Sequence, residues 1–484
     1  MKVLVANRGE IACRILKTLR DMGIPSVAVY SDVDRASPQV DLADEAVALG
    51  APGGYLDMRL LIDAARSRSA DAVHPGYGFL SQSAAFAEAC RAAGIVFIGP
   101  SPESMRLLGD KSKSRRTAEE CGLPVVPGAS ACDTVEAARR AAGAIGYPVL
   151  LKAVGGGGGK GMRLVMGEDA LPEAFAAASR EAGAAFADSR LLVEKYLAPA
   201  RHVEAQILGD GREAVALGER ECSLQRRYQK IIEEAPSPGL PETTRRALLD
   251  AAVRLAERAG YASAGTVEFL IGPGGDYYFL EVNTRLQVEH PVTELLTGVD
   301  IVAAQIELAR GGRLPEPAAP RGHAIEARLN AEDPHRGFLP SSGPILMLEW
   351  PTRPGLRIDS GIREGQEVRP DYDPLLAKLI AWGSDREQAR RRLVESLRSL
   401  TLLGVATNQA FLIQVLESDE FRRGETYTTT LESRPWPEPV VPPEALAMAR
   451  RALATRPAAE SGGAVAADRH SPWRAPDGSG RLLP

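Results

Sequence analysis

The sequence predicts a mixed fold, α/β at its start and α+β beyond. Three observations carry this. Short β-rich runs alternate with amphipathic segments over roughly the first hundred residues, two glycine-tipped hairpins follow in the middle, and the chain's 484 residues suffice for about three units of ordinary domain size. In the first region Val3–Ala6 precedes Ile11, Ile15, Leu19 and Met22 at helical spacing. Ser26–Tyr30, a helical stretch around Leu60–Ala65, Asp71–His74, a second helix near Ala84–Ala93 and Ile95–Gly99 continue the alternation. Strands that alternate with helices predict a parallel sheet of βαβ units. No GxGxxG fingerprint accompanies them, so the open fold does not imply a dinucleotide. The loops Asn7–Glu10 and His74–Ser81 follow strands, where α/β folds bind ligands.

From about residue 111 the pattern changes. Pro148–Val165 and Gly265–Asn283 each read as two β-rich runs around a glycine-rich turn, hence antiparallel pairs with covering helices. An amphipathic helix is expected over Ser384–Leu403, with Ser384 as N-cap and Ala389, Leu393 and Leu397 four apart. After about Glu432 the composition turns to Pro, Ala, Arg and Gly, which predicts a partly disordered tail over 433–484.

Composition excludes several classes. Hydrophobic residues at 44% and charged residues at 25% are ordinary for a globular protein. A formal net charge of −5 argues against a nucleic-acid binder. No apolar run approaches the roughly 20 residues of a membrane span, and the N-terminus lacks a signal-peptide core. The five cysteines are scattered, odd in number and without metal-ligand spacing, so a reducing cytoplasm is expected.

Several residues carry chemistry. Gly155–Gly159 followed by Lys160 is not a P-loop, which needs Gly at Val154 and Ser or Thr at Gly161. Flanked by strands, it reads either as a hairpin tip whose N–H groups close over phosphates or as a plain flexible loop. Lys152 is the only charge in PVLLKAV, awaiting an anion or pointing at water. In the second hairpin, a turn centred between Gly274 and Gly275 sets Glu268 directly opposite Glu281. Opposed like charges are destabilising unless a hard cation such as Mg²⁺ joins them, and a one-residue slip of register would separate them. Asn283 stays on the same face and adds an oxygen. Glu281, Asn283, Arg285, Gln287 and Glu289 recur at every second position. If the chain stays extended, Arg285 offers a fork for a small planar anion and Glu289 a general base beside it. Ser223–Pro236 packs Arg226, Arg227 and Lys230 beside an acidic pair and reads, on charge alone, as a surface loop. His202 is a lone histidine on a strand, more often structural than catalytic.

Taken together, the stretches VANRGEIACRI, HPGYGFLS, LLKAVGGGGGKGM, EKYL, RHVEAQ, CSLQRRYQKIIEEAP, GTVEFL, EVNTRLQVEHPVTE and EARLNAEDP resemble the biotin carboxylase family of the ATP-grasp superfamily. They run in family order over about residues 1–430. The resemblance implies a pre-ATP-grasp α/β domain over 1–110, an ATP-grasp domain over 111–320 with a lid at about 125–197, and a C-terminal domain over 321–432. It implies that Lys111 and Lys152 hold ATP phosphates under a lid containing Gly158 and Gly159. Glu194, Lys195, Tyr196 and Leu197 would form the adenine-side hinge, with His202 and Tyr228 close to the nucleotide. Glu268, Glu281 and Asn283 would bind Mg²⁺ or Mn²⁺. Lys230, Arg285, Gln287 and Val288 would hold bicarbonate, with Glu289 as base. Arg328 would offset the charge that develops on biotin, and Tyr77 would line the biotin site.

The implied activity is carboxylation of biotin on a carrier protein through carboxyphosphate, the first half-reaction of an acetyl-CoA or other acyl-CoA carboxylase. The implied partners are a biotin carboxyl carrier protein, a carboxyltransferase subunit and a second copy of the chain. There are two departures. Tyr228 stands where the family more commonly has histidine, and the biotinylation signature Ala-Met-Lys-Met is absent, the nearest string being Ala447–Arg450. Biotin is therefore expected in trans, although Ser471–Pro484 resembles the linker to a carrier in long acyl-CoA carboxylase α chains. Competing readings are another carboxyphosphate-forming ligase, such as a carbamoyl-phosphate synthase fragment, and a non-catalytic ATP-binding module. The first should show duplicated halves and the second should have lost some of Lys230, Arg285, Glu289 or Arg328.

Overall fold

The computed structural model describes residues 1–155, 162–316, 319–438, 446–447 and 450–451. The lid glycines Gly158 and Gly159, and most of the tail from 433 onward, lie outside them. Residues 1–436 form one compact unit.

The chain opens with five parallel strands, β1 (Val3–Val5), β2 (Ser26–Ser31), β3 (Glu45–Gly50), β4 (Ala72–His74) and β5 (Val96–Phe97), in the order β3-β2-β1-β4-β5. The VLV of β1 is apolar throughout because helices cover both faces, as parallel sheets require. Ile11, Ile15 and Leu19 of the helix Gly9–Asp21 pack into this core at the expected spacing. Strand order reverses between β1 and β4, the point where such sheets bind ligands. There the Asn7 amide donates to the carbonyls of Pro75 and Tyr77, both at 2.7 Å, and so shapes the loop that presents Tyr77. Gly76 completes that turn at φ +62°, with Asn7 Nδ2 only 3.1 Å from where a Cβ would sit.

A second sheet holds β6 (Gly128–Cys132), β7 (Val149–Ala153), β8 (Arg163–Val165) and β9 (Leu191–Lys195) in the order β6-β9-β7-β8. The expected first hairpin is present as antiparallel β7 and β8, with Val149 facing Val165. The helices Val135–Ile145 and Leu171–Phe186 cover one face, packing Ala138, Leu171 and Phe175 on Leu151 and Val193.

The third sheet positions the site. Its strands are β10 (Arg201–Asp210), β11 (Ala214–Arg226), β12 (Gln229–Ala235), β13 (Ala262–Ile271), β14 (Tyr277–Asn283), β15 (His323–Asn330), β16 (Leu356–Ser360) and β17 (Leu375–Gly383). They run in the order β14-β13-β10-β11-β12-β15-β17-β16, so one sheet crosses from the middle of the chain into its last third. The charged segment Ser223–Pro236 is not a surface loop. It is the β11–β12 hairpin, whose Glu233 and Glu234 are buried. Arg227 and Tyr228 form its tip at φ +49° and +65°, the mirror-image turn that suits a tight hairpin.

Near the C-terminus a helix spans Arg386–Ser399, and its N-cap is Asp385, not Ser384. The Asp385 carboxylate accepts from the Gln388 N–H at 2.8 Å, a stronger cap for a helix start than a hydroxyl one residue too early. The expected continuation to Leu403 is a short strand, Thr401–Leu403, paired with Met347–Glu349. No helix among the described residues is long and apolar enough to cross a membrane.

Candidate active site

Register places the acidic residues. In β13 and β14 Glu268 faces Glu281, as expected, but not by the symmetry of the turn. Near the tip Ile271 faces Tyr277 and Phe269 faces Phe279, a register that alone would set Leu280 opposite Glu268. A bulge between Glu268 and Phe269 absorbs one residue and brings Glu281 onto the shared face. On the other side of β13, Glu204 of β10 also faces Glu268, and Arg220 of β11 faces Glu204. Three carboxylates and a guanidinium thus form a row across four strands.

Cations close this row. Arg220, fully buried, donates to Glu204 at 2.6 Å and to Gln206 and Thr293. Lys230 Nζ donates to Glu204, to Glu268 at 2.8 Å and to Glu289 at 2.7 Å. Lys111 lies 2.9 Å from Glu281, projecting from the first position of the helix Lys111–Glu120, which Asp110 caps. Burial opposes ionisation of Glu268, yet Lys230 and His202 hold its carboxyl well below the usual range. Burial likewise opposes ionisation of Glu289, and Lys230 and Arg328 overcome it. Lys230 is desolvated too, but its three glutamates raise it far above an ordinary lysine.

Strand β14 ends at Asn283, so the alternation over 281–289 outlasts the extended chain. The chain turns there because Glu289 must become the N-cap of the helix His290–Thr297, and the Gln287 carbonyl lies 2.8 Å from His290 Nδ1. The side chains still converge. Arg285 donates to Asn283 Oδ1 at 3.1 Å and Gln287 Oε1 at 2.8 Å. Asn283 and Gln287 donate to Glu268 Oε1 at 2.8 and 3.2 Å. Arg328 of β15 reaches Glu289 Oε2 at 2.9 Å and also holds Glu233.

The residues expected at the nucleotide surround a neighbouring cavity of about 150 Å³, lined by Lys111, Lys152, Glu194, His202, Tyr228 and Glu281 among others. A groove of about 500 Å³ adjoins it at Lys111 and Glu281. Lys152 is buried and ion-paired with Glu194, so it does not point at water. Lys195, Tyr196 and Leu197 line the cavity, and the Lys195 ammonium donates to the Gly146 and Tyr147 carbonyls at 3.0 Å and fixes that loop. His202 sits between Gln225, 2.8 Å from Nδ1, and Glu268, 3.1 Å from Nε2.

Four site residues escape sequence reasoning: Glu204, Arg220, Glu233 and Lys378. Glu204 was findable, since it shares a strand face with His202 in RHVEAQ. Lys378 is fully buried on β17, with Nζ 2.8 Å from the Val288 carbonyl and 3.3 Å from Glu10. The Tyr77 ring centroid lies 6.0 Å from the same ammonium.

The donor set suits a hard divalent cation. Glu268 and Glu281 are opposed carboxylates and Asn283 adds an amide oxygen, the hard oxygen donors such a cation takes.

Three family models match consecutive stretches: the biotin carboxylase N-terminal domain over residues 1–105, the carbamoyl-phosphate synthase L chain ATP-binding domain over 110–317, and the biotin carboxylase C-terminal domain over 326–433. A biotin carboxylase of Nostoc is 47% identical over 439 residues, covering 89% of this chain and 98% of that protein. The chain belongs to the biotin carboxylase family.

Other members of the biotin carboxylase family are as similar. The mitochondrial methylcrotonoyl-CoA carboxylase subunit alpha of Rattus norvegicus is 49% identical over 436 residues, 88% of this chain, which spans only 61% of that longer protein. A Campylobacter jejuni biotin carboxylase–β,γ-ATP complex superposes with a TM-score of 0.88 at 41% identity, covering 90% of this chain and 98% of that one. The biotin carboxylase domain dimer of Hydrogenobacter thermophilus 2-oxoglutarate carboxylase, with MgADP, ADP and bicarbonate, gives 0.88 at 43% identity over 90% and 99%. The flanking biotin carboxylase domains set the chain apart from a carbamoyl-phosphate synthase fragment.

Burial pushes the Glu10 carboxyl up to about 7 despite Lys378, and the Glu233 carboxyl up to about 7 despite Arg328. Such groups stabilise the fold fully below the free glutamate value and lose that contribution as pH rises through 7. Each accounts for roughly 4 kcal/mol at most, taking about 4.3 for the unfolded chain. Glu10→Gln should therefore flatten the fall in unfolding free energy between about pH 4.5 and 7, followed by urea titration. A fall as steep as that of the wild type would assign the effect elsewhere.

Proposed function

We propose that the protein carboxylates biotin, using ATP, Mg²⁺ and bicarbonate, as the first half-reaction of an acyl-CoA carboxylase. The observation that carries this is the meeting of Lys230, Arg285 and Arg328 around the ionised Glu289, beside the cavity that holds Lys111 and Lys152. A non-catalytic ATP-binding module has no use for a buried base ringed by cations, whose assembly is itself expensive.

Arg285 offers a planar fork to bicarbonate while Lys230 adds a point charge. Glu289 takes the bicarbonate proton, and the oxygen so freed attacks the terminal phosphate of ATP, which Lys111 and Lys152 hold; the bond to the β-phosphate breaks and ADP leaves. Magnesium, when bound by Glu268, Glu281 and Asn283, neutralises phosphate charge. The product, carboxyphosphate, is short-lived in water, so its formation within a buried constellation protects it. Its carboxyl carbon passes to a biotin nitrogen beside Arg328 and Tyr77 as the C–O bond to phosphate breaks; the departing phosphate takes the nitrogen's proton, and Arg328 offsets the charge that develops on biotin. The domain division at 110, 320 and 432, with a lid over about 125–197, belongs to this reading. So do a biotinylated carrier and a carboxyltransferase as partners, a dimeric assembly, and a reducing compartment that keeps all five cysteines free.

The deciding experiment measures ATP hydrolysis with and without bicarbonate and free biotin. Cleavage that depends on bicarbonate, with carboxybiotin formed when biotin is added, is expected; cleavage indifferent to bicarbonate would refute the assignment. Glu281→Gln should raise the Mg²⁺ concentration for half-maximal rate about tenfold or more, because one of two carboxylate ligands is lost. A wild-type Mg²⁺ titration for this variant would remove Glu281 from the metal site.

A further inference from the structure

We infer that Lys378 is a positioning residue for the bicarbonate subsite, holding the peptide that joins Val288 to Glu289. The inference rests on the biotin carboxylase reading above. Residues 284–289 belong to neither a helix nor a strand, so side chains must set their course. Lys378 supplies one such hold from outside the segment. Its ammonium donates to the Val288 carbonyl at 2.8 Å, and the same peptide unit carries the N–H of Glu289. Moving that peptide moves the base relative to Arg285 and Lys230.

The ammonium is itself located from three directions. It stands on β17, where Lys378 faces Arg328 of β15. Glu10, at the start of the first helix, lies 3.3 Å away, and Asp359 of β16 lies 3.8 Å away. Lys378 is 0% exposed, so no water competes for the contact. One buried cation thus refers the bicarbonate segment to both the N-terminal α/β region and the large sheet. A lysine placed only to neutralise Glu10 and Asp359 would not need to reach a carbonyl next to the base.

The test is steady-state kinetics of Lys378→Met and of the charge-balanced double variant Lys378→Met with Glu10→Gln. In both, the KM for bicarbonate should rise about tenfold or more, a typical consequence of losing a charged hydrogen bond, while the KM for ATP stays near wild type. Glu10→Gln alone keeps the Val288 contact and loses only one of the groups around the ammonium, so it should raise the bicarbonate KM clearly less than Lys378→Met does. A folded variant with wild-type bicarbonate KM overturns the inference, as does failure of both Lys378 variants to fold, which would make Lys378 a stability residue. A parallel rise in both KM values would also overturn it. Wild-type protein that shows no bicarbonate-dependent ATP cleavage would instead sink the functional reading.

Discussion

Glu289→Gln is expected to lower bicarbonate-dependent ATP cleavage by about 10²–10⁴-fold, the usual range for losing a general base. The amide keeps the size and position of the side chain, and one oxygen can still accept from Lys230 or Arg328. It cannot take a proton. Because two cations hold Glu289 ionised, the wild-type base is fully available at neutral pH but intrinsically weak. The rate should therefore not fall as pH drops from 8 to 6 on account of this group. Bicarbonate-dependent cleavage by Glu289→Gln at near wild-type rate, followed as ADP release, would remove Glu289 from the role of base.

Arg328→Met should separate the two halves of the reaction, with carboxybiotin formation falling by about 10²–10³-fold, as when one donor to developing charge is removed. Bicarbonate-dependent ATP cleavage should largely survive, because Lys230 remains on Glu289. The fold should tolerate the loss: Glu233, already pushed up to about 7, takes a proton once its guanidinium partner is gone. Equal loss of both activities in a folded variant would show that Arg328 acts first through Glu289, which it touches.

Much of this site was legible because β-sheet register is arithmetic. The facing of Glu268 and Glu281 follows from counting outward from the GPGG turn. The count succeeded with a turn centre half a residue off, since the bulge beside Glu268 supplied the correction. Nothing in the sequence marks that bulge. Arg285, Gln287 and Glu289 were found by an alternation that the backbone abandons after Asn283. They meet because short turns can carry side chains to a common point without an extended strand. Lys152 and Lys378 present the same signal, a single charge within an apolar run, yet only Lys152 stood out. The partners of Lys378 come from Glu10, Val288 and Asp359, remote in sequence, and no local pattern announces them. The cap falls on Asp385 and not on Ser384 because neighbouring residues of capping type are not distinguished by sequence alone, which does not fix where a helix starts.

The eight-stranded sheet sets a geometric limit on how the two substrates meet. Lys230 stands on β12 and Arg328 on β15, adjacent strands of one ladder, with Ile232 facing Ala327 between them. Neighbouring strands keep a spacing of about 4.8 Å. On the proposed reading, the rails that would carry the anion and the acceptor are thus laid at a fixed gauge, as directly paired strands. Adaptation to a different acyl-CoA partner must happen off this track, because any widening of it would break backbone hydrogen bonds in the ladder itself.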